Sequence, residues 1–170
     1  MLIRDPNTFP MTAKTTHEEV KIEAQKLAAA SSSAKEFMER LTRLLNERML
    51  KYNWVGFYLL AEASPPVLQL GAFQGAMTPH TTIQLHQGIC GAAVSTGKTI
   101  VVDDVSKDPR YLACSLETKS EIVAPVFFRG NVVGELDIDS HFPAAFKDED
   151  RDLVEFCASL VGQCYEKPAE

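Results

Sequence analysis

Apolar and polar positions alternate along residues 120–140, which read SEIVAPVFFRGNVVGELDIDS. This period of two predicts a pair of β-strands, at residues 122–128 and 132–138, joined by a tight turn. The turn is expected at residues 129–131, because its glycine and asparagine both tolerate positive φ. The hairpin is therefore expected to form the centre of the fold.

Three acidic residues are predicted to share one face of the second strand. Side chains alternate across a sheet, so Glu135, Asp137 and Asp139 point to one side. Leu136 and Ile138 point to the other side. Aspartate is rare in strands, and two aspartates aimed the same way need solvent, a cation or a polar ligand. Taken alone, the pattern favours a wet face with solvated acids, since acidic side chains are mostly exposed.

Three longer segments follow the helical period. Residues 16–19 fit a capping box and predict a helix that runs to about Ala30. A second capping box at residues 33–36 opens an amphipathic helix that is expected to end near Tyr52. The last helix, at residues 148–165, has the strongest apolar stripe, and its acidic first turn suits a helix N-terminus.

Residues 53–60 predict a strand with two different faces. One face is aliphatic and aromatic and suits packing on helices, whereas Trp54, Gly56 and Tyr58 form the other. This second face has two rings with a gap between them, and it is a candidate pocket wall, although aromatic residues favour strands in any case. Shorter elements follow from the same patterns: strands at 67–73, 81–85 and 98–102, a helix at 88–96 closed by Gly97, and a helical turn near 109–112 in the loop 103–115.

The order of these elements favours an α+β fold with a central antiparallel sheet, because most strands are joined by hairpins and helices stand at both ends. The N- and C-terminal helices are expected to cover one face of the sheet. The other face, with Trp54, Tyr58, Asp137 and Asp139, is expected to lie under the loops between residues 74 and 120.

Composition narrows the class of protein. The chain has 170 residues, 45% of them hydrophobic, which suits one core. Residues 1–12 carry two prolines and no periodicity and are expected to form an N-terminal arm, followed by a single domain at 13–170. The net charge of −6 disfavours nucleic acid and anionic membranes as partners, and no stretch is apolar enough for a membrane span. The first residues do not resemble a signal peptide, so a cytoplasmic location is expected.

The four cysteines fall into two classes. Cys157 and Cys164 lie on the apolar stripe of the last helix, which predicts a buried structural role. Cys90 lies at the start of a predicted helix, where the helix dipole favours a thiolate. Cys114 lies in a polar loop ahead of Glu121. The pattern by itself leaves two interpretations open for this second class: two unconnected thiols, or a redox pair that meets over the pocket.

No metal site is predicted from the sequence. The chain has no C-x-x-C motif, and His80 and His86 lie at no familiar ligand spacing from the cysteines.

Six short motifs, in order and with similar spacings, resemble those of the GAF-domain free methionine-(R)-sulfoxide reductases. They are NWVGFY at 53–58, FQG at 73–75, GICG at 88–91, LAC at 112–114, SEIV at 120–123 and LDIDS at 136–140. The resemblance covers residues 20–165. It implies a single GAF domain, usually a homodimer, that reduces free methionine-(R)-sulfoxide but not the protein-bound form. It also implies recycling by disulfide exchange with a thioredoxin-like reductant, and no cofactor.

The resemblance also implies roles for individual residues. Cys114 matches the family cysteine most often described as the attacking thiolate. Cys90 matches a second cysteine that closes a disulfide with it, although some members are described with the two roles reversed. The implied substrate-binding residues are the pocket tryptophan Trp54, Tyr58 on the same wall, and the carboxylates Glu121, Asp137 and Asp139.

This chain departs from the family pattern in one loop. Many members carry a third cysteine after the FQG motif, whereas this chain has Pro79 and His80 near that place, in a loop one residue longer. The usual partner for resolving a sulfenic acid is therefore missing. Either Cys90 takes over that step, or an external thiol does, or the activity is lost.

The implied chemistry suits the residue types. A thiolate attacks the sulfoxide while a proton is supplied to the departing oxygen, and Trp54 can hold the methyl group through a sulfur–aromatic contact. The ammonium of a free amino acid needs buried carboxylates. Clustered acids cannot all stay ionised, so one is expected to have a raised pKa and to act as the proton donor. Two alternatives are a non-catalytic GAF small-molecule sensor and a thiol redox switch without a substrate. An anionic cyclic nucleotide would face three acids, which disfavours that type of sensor.

Overall fold

The structure is a computed structural model that describes residues 16–113 and 115–169. The predicted arm at residues 1–12 and the candidate nucleophile Cys114 lie outside the described residues.

Four helices and six strands make up the described chain, in the order that the sequence predicts. The helices are α1 His17–Ala30, α2 Ala34–Arg48, α3 Gly88–Thr96 and α4 Asp148–Cys164; the strands are β1 Trp54–Ala61, β2 Val67–Gln74, β3 Thr82–Gln84, β4 Ile100–Val102, β5 Ser120–Phe128 and β6 Asn131–Ser140. The strands form one antiparallel sheet in the order β3-β2-β1-β6-β5-β4. The α+β class and the antiparallel sheet are confirmed, with the predicted hairpin β5–β6 beside β1.

The start of each N-terminal helix is set by a hydroxyl side chain. The first capping box is confirmed, because Thr16 and Glu19 exchange both hydrogen bonds. The second box is only half formed. Ser33 accepts from the backbone N–H of Glu36, but the Glu36 carboxylate accepts from Ser32 at 2.7 Å instead of from the Ser33 backbone.

One predicted helix boundary is wrong, and a tertiary contact explains it. α2 ends at Arg48 and not near Tyr52, because Tyr52 is buried and its hydroxyl donates to Asp150 at 2.7 Å.

The turn expected near residues 109–112 is present as a hydrogen-bonded turn at 108–111, where the Tyr111 N–H donates to the Asp108 carbonyl at 3.1 Å. A 3₁₀ turn at Val105–Lys107, which the sequence did not predict, precedes it. The Asp104 carboxylate starts it by accepting from the backbone N–H of Ser106.

The central hairpin turns over two residues, not the predicted three. Arg129 and Gly130 have φ values of 51° and 79°, and Phe128 pairs directly with Asn131. Two successive residues with positive φ are typical of the turn that matches the twist of a β-hairpin. Asn131 is therefore the first residue of β6 rather than part of the turn.

The sheet separates two apolar clusters. On one side α1, α2 and α4 pack on fully buried side chains that include Phe57, Leu136 and Ile138. Cys157 and Cys164 belong to this cluster, which confirms that both are buried in the core. Every helix in the described ranges is too short or too polar to cross a bilayer. The opposite side of the sheet carries a second cluster, built from side chains of β1, β5 and α3, and this side contains the candidate site.

Candidate active site

Four carboxylates lie on the α3 side of the sheet. β6 carries Glu135, Asp137 and Asp139 on this face, and β5 brings Glu121 directly opposite Asp139. Their relative exposures are 0%, 2%, 4% and 5% for Glu135, Asp137, Asp139 and Glu121. The prediction of a wet face with solvated acids is therefore wrong. α3 and the neighbouring loops exclude solvent from this face, which the alternation of side chains along a strand does not reveal.

Several of these buried oxygens lack a hydrogen-bond partner. Among the described residues, both side-chain oxygens of Glu135 and the Oδ1 atoms of Asp137 and Asp139 have none. A buried ionised carboxylate without a partner is costly, so such groups bind a proton or a cationic ligand. The site therefore favours binding of a proton or a cationic ligand.

The pKa values follow from this burial. Burial raises the pKa of Glu135 and of Asp139 well above the usual range, and the charge of Asp137 raises both further. Burial also raises the pKa of Asp137 to about 6, while hydrogen bonds from Glu121 and Cys90 act in the opposite direction. These directions agree with the expectation that clustered acids do not all stay ionised.

Cys90 faces the same acids from the first turn of α3. Its thiol is 6% exposed and donates to Asp137 Oδ2 at 3.4 Å. Burial raises the pKa of Cys90 well above its usual range, and the charges of Asp137, Glu135 and Glu121 raise it further. The thiolate predicted from the helix N-terminus is therefore wrong for Cys90, because burial and neighbouring acids outweigh the dipole of a short helix.

A glycine in the GICG motif allows α3 to approach the preceding chain closely. A Cβ atom at Gly91 would lie 2.8 Å from the carbonyl oxygen of Leu85 and 3.0 Å from that of Gln84. Only glycine fits there without a backbone shift. This close approach holds the neighbouring Cys90 over the acids.

Aromatic rings fill the gap that the sequence suggested between Trp54 and Tyr58. Trp54 stacks on Tyr58 and Phe73, with ring centroids 6.2 Å and 5.8 Å apart. A Cβ atom at Gly56 would lie 2.3 Å from the Trp54 ring, so the gap that the sequence suggested is filled by the indole itself. The Trp54 N–H donates to the carbonyl of Ala76 at 3.0 Å, which fixes the ring. Both predicted aromatic residues thus lie on the pocket side of the sheet.

A small cavity opens between the Trp54 ring and Asp139. Its volume is about 80 Å³, and its other lining residues include Thr78, Glu117, Thr118 and His141. Two larger surface grooves, of about 720 and 810 Å³, are lined by none of the residues that the sequence predicts for the site. The small cavity combines an aromatic wall with a buried acid.

Comparison with known proteins identifies this arrangement. A GAF domain profile matches residues 33–165. The free methionine-R-sulfoxide reductase of Escherichia coli is 36% identical over 124 residues, which are 73% of each chain. This chain belongs to the GAF-domain free methionine-(R)-sulfoxide reductase family. The yeast free methionine-R-sulfoxide reductase is 40% identical over 112 residues, 65% of this chain, and the match spans only 62% of the yeast protein.

The family's solved structures share the whole fold. The crystal structure of the Neisseria meningitidis free methionine-R-sulfoxide reductase in complex with its substrate has a TM-score of 0.83 and 31% identity. The match covers 92% of this chain and 97% of that one. The GAF fold inferred from the sequence motifs is therefore confirmed.

The loop that departs from the family pattern contacts the predicted nucleophile's loop. His80 Nε2 donates to the carbonyl of Ala113 at 3.1 Å, and the His80 carbonyl accepts from the Tyr58 hydroxyl at 2.7 Å. His80 therefore joins the aromatic wall to the residue that precedes Cys114 in the chain. Because Cys114 lies outside the described residues, its pairing with Cys90 stays a prediction.

The structure also assembles groups that sequence spacing did not reveal. Cys90 Sγ and one carboxylate oxygen each from Glu121 and Asp137 all lie within 4.8 Å of one another. The three residues come from α3, β5 and β6, so no ligand spacing along the chain could have indicated them. The sequence predicts that Glu135 lies on the acidic face but gives no reason to include it in the site. Only its complete burial in the structure distinguishes it from a solvated acid.

Proposed function

We propose that this protein reduces free L-methionine-(R)-sulfoxide to methionine. The observation that carries the proposal is a buried acidic floor in a chain of this family, formed by Glu121, Asp137 and Asp139, of which Asp139 lines the small cavity together with Trp54. The ammonium of a free amino acid would neutralise part of the buried negative charge of these carboxylates. A methionine sulfoxide within a peptide has no such ammonium, so the floor would select the free amino acid.

The first chemical step belongs to Cys114 in this proposal. Its thiolate attacks the sulfoxide, the S–O bond of the substrate breaks, and the oxygen is transferred to Cys114 as a sulfenic acid while methionine leaves. A protonated carboxyl group of the floor donates a proton to the departing oxygen. The pKa of Asp139, raised well above the usual range by burial, supports Asp139 as this donor, whereas Asp137, with a pKa of about 6, stays mostly ionised at neutral pH and can hold the ammonium.

The second step uses Cys90 as the resolving thiol. The Cys90 thiol attacks the sulfenic acid, forms a Cys90–Cys114 disulfide and releases water. A thioredoxin-like dithiol then reduces the disulfide by exchange. The raised pKa of Cys90 supports this order of roles, because a buried protonated thiol is a poor first nucleophile.

The test is turnover by the reduced, folded protein with a dithiol reductant. We expect methionine from the free R epimer, and none from the S epimer or from an N-acetylated, C-amidated methionine-(R)-sulfoxide. Absence of turnover with both free epimers would refute the proposal. Binding of the free R epimer without turnover would instead favour a GAF small-molecule sensor.

Family membership supports two further proposals, a homodimer in solution and a cytoplasmic location. Light scattering on the purified protein tests the first, since a monomeric mass contradicts it. Cell fractionation of the source organism tests the second.

A further inference from the structure

The group formed by Cys90, Glu121 and Asp137 has nearly the dimensions of a metal site. Tetrahedral zinc with Zn–S of about 2.3 Å and Zn–O of about 2.1 Å places sulfur and oxygen about 3.6 Å apart, and two oxygens about 3.4 Å apart. Cys90 Sγ and Asp137 Oδ2 are separated by 3.4 Å, and all three ligand atoms lie within 4.8 Å of one another. The three groups would therefore have to move closer by about 1 Å at most to bind one zinc ion.

A second observation points to a cationic ligand at this group. Asp137 Oδ1 and both oxygens of Glu135 are buried without a hydrogen-bond partner among the described residues. In the same part of the chain, neither Glu135 nor Asp137 forms an ion pair with a lysine, arginine or histidine. Glu135 interacts with both Asp137 and Cys90, so its buried carboxyl group lies beside the three ligands.

We propose that Cys90, Glu121 and Asp137 bind a divalent cation of the zinc class. A thiolate with two carboxylates suits zinc, cobalt or cadmium, whereas calcium and magnesium select oxygen ligands only. Binding displaces the Cys90 proton to solvent and forms a metal–sulfur bond. Three protein ligands leave the fourth tetrahedral position to a water molecule.

The bound cation has a consequence for catalysis that rests on the proposed function. It neutralises the carboxylates that would hold the substrate ammonium, and it holds Cys90 as a metal thiolate that cannot resolve a sulfenic acid. The site therefore inhibits the enzyme when zinc is present, and a chelator restores activity.

The test is a cobalt titration of the reduced, chelator-treated full chain. A cobalt–thiolate bond gives a charge-transfer absorption band in the near ultraviolet, and zinc added afterwards removes the band by displacing cobalt. We expect the band in the unaltered protein and its loss in Cys90→Ser. Asp137→Asn and Glu121→Gln are expected to keep the band but to weaken cobalt affinity by at least about tenfold.

The controls separate this site from the other thiols and acids. Cys114→Ser and Cys164→Ser should keep the band, and Asp152→Asn, an exposed acid on α4, should leave the affinity unchanged. No band in the unaltered protein overturns the proposal. A band that survives in Cys90→Ser but disappears in Cys114→Ser overturns it too. The absorption band does not depend on turnover, so absence of metal binding can be distinguished from absence of enzymatic activity. Circular dichroism verifies that each variant is folded.

Discussion

Replacing Asp137 with asparagine is expected to raise the free energy of unfolding and to lower the activity. Asp137 is 2% exposed, one of its oxygens has no partner, and burial raises its pKa from 3.8 to about 6. At neutral pH the folded protein therefore holds Asp137 as a buried carboxylate, although the folded state favours the protonated form. Asp137→Asn keeps the shape of the side chain and removes that charge.

The size of the effect follows from the pKa difference. Between pH 3.8 and 6 the folded state binds more protons than the unfolded state, so the contribution of Asp137 to stability falls as pH rises through this window. At about 1.36 kcal/mol per pKa unit, the complete loss amounts to about 3 kcal/mol above pH 7. Asp137→Asn is expected to recover about 1 kcal/mol near pH 4.5 and about 3 kcal/mol near pH 8.

The measurement is urea unfolding of the unaltered protein and the variant at both pH values, with Asp152→Asn as the matched exposed control. The control should change the free energy of unfolding by less than about 0.5 kcal/mol at either pH. In the same preparations, kcat/KM for free methionine-(R)-sulfoxide should fall by at least about tenfold in Asp137→Asn, because the ammonium loses a charged partner. A variant that is no more stable near pH 8 than near pH 4.5, relative to the unaltered protein, refutes the proposed cost of the buried charge.

Three further predictions test the remaining parts of the site. With one equivalent of substrate and no reductant, the protein should yield a Cys90–Cys114 disulfide, Cys114→Ser should release no methionine, and Cys90→Ser should release about one equivalent and then stall as a sulfenic acid. Peptide mapping after alkylation distinguishes these products, and loss of the first turnover in Cys90→Ser would show that the two roles are reversed. Glu121→Gln should lower kcat/KM by at least about tenfold, or about 1.4 kcal/mol, and unchanged steady-state kinetics would place the substrate elsewhere. Gly91→Ala should cost about 1–3 kcal/mol of stability in urea unfolding, because its Cβ would lie 2.8 Å from the Leu85 carbonyl oxygen. Gly71→Ala is the matched control, since its Cβ would have no neighbour closer than 3.4 Å, and an equal effect in both variants would contradict the close approach of α3.

Local patterns in the sequence predicted most of the fold. Helix periodicity, the hydroxyl at Thr16 and the glycine at Gly97 act over one or two turns, so α1 and α3 appear with the predicted boundaries. The alternation of β6 is equally local, which is why the sequence alone assigned its three acids to one face. The departures arise where a distant residue intervenes, as when Asp150 binds the Tyr52 hydroxyl and α2 ends early.

What the sequence could not decide is the environment of that acidic face. Solvent is excluded because α3 packs over the sheet, which the alternation of side chains along the strand does not show. Gly91 also lets α3 lie close to the Leu85 carbonyl just before it. The same packing buries Cys90 beside Asp137 and raises the pKa of its thiol, against the expectation from the helix N-terminus. Residue order thus determined which side chains share a face and which family the chain resembles. Only the tertiary structure decided whether those groups are charged, because the pKa of an acid or a thiol depends on its burial and on neighbours from other elements.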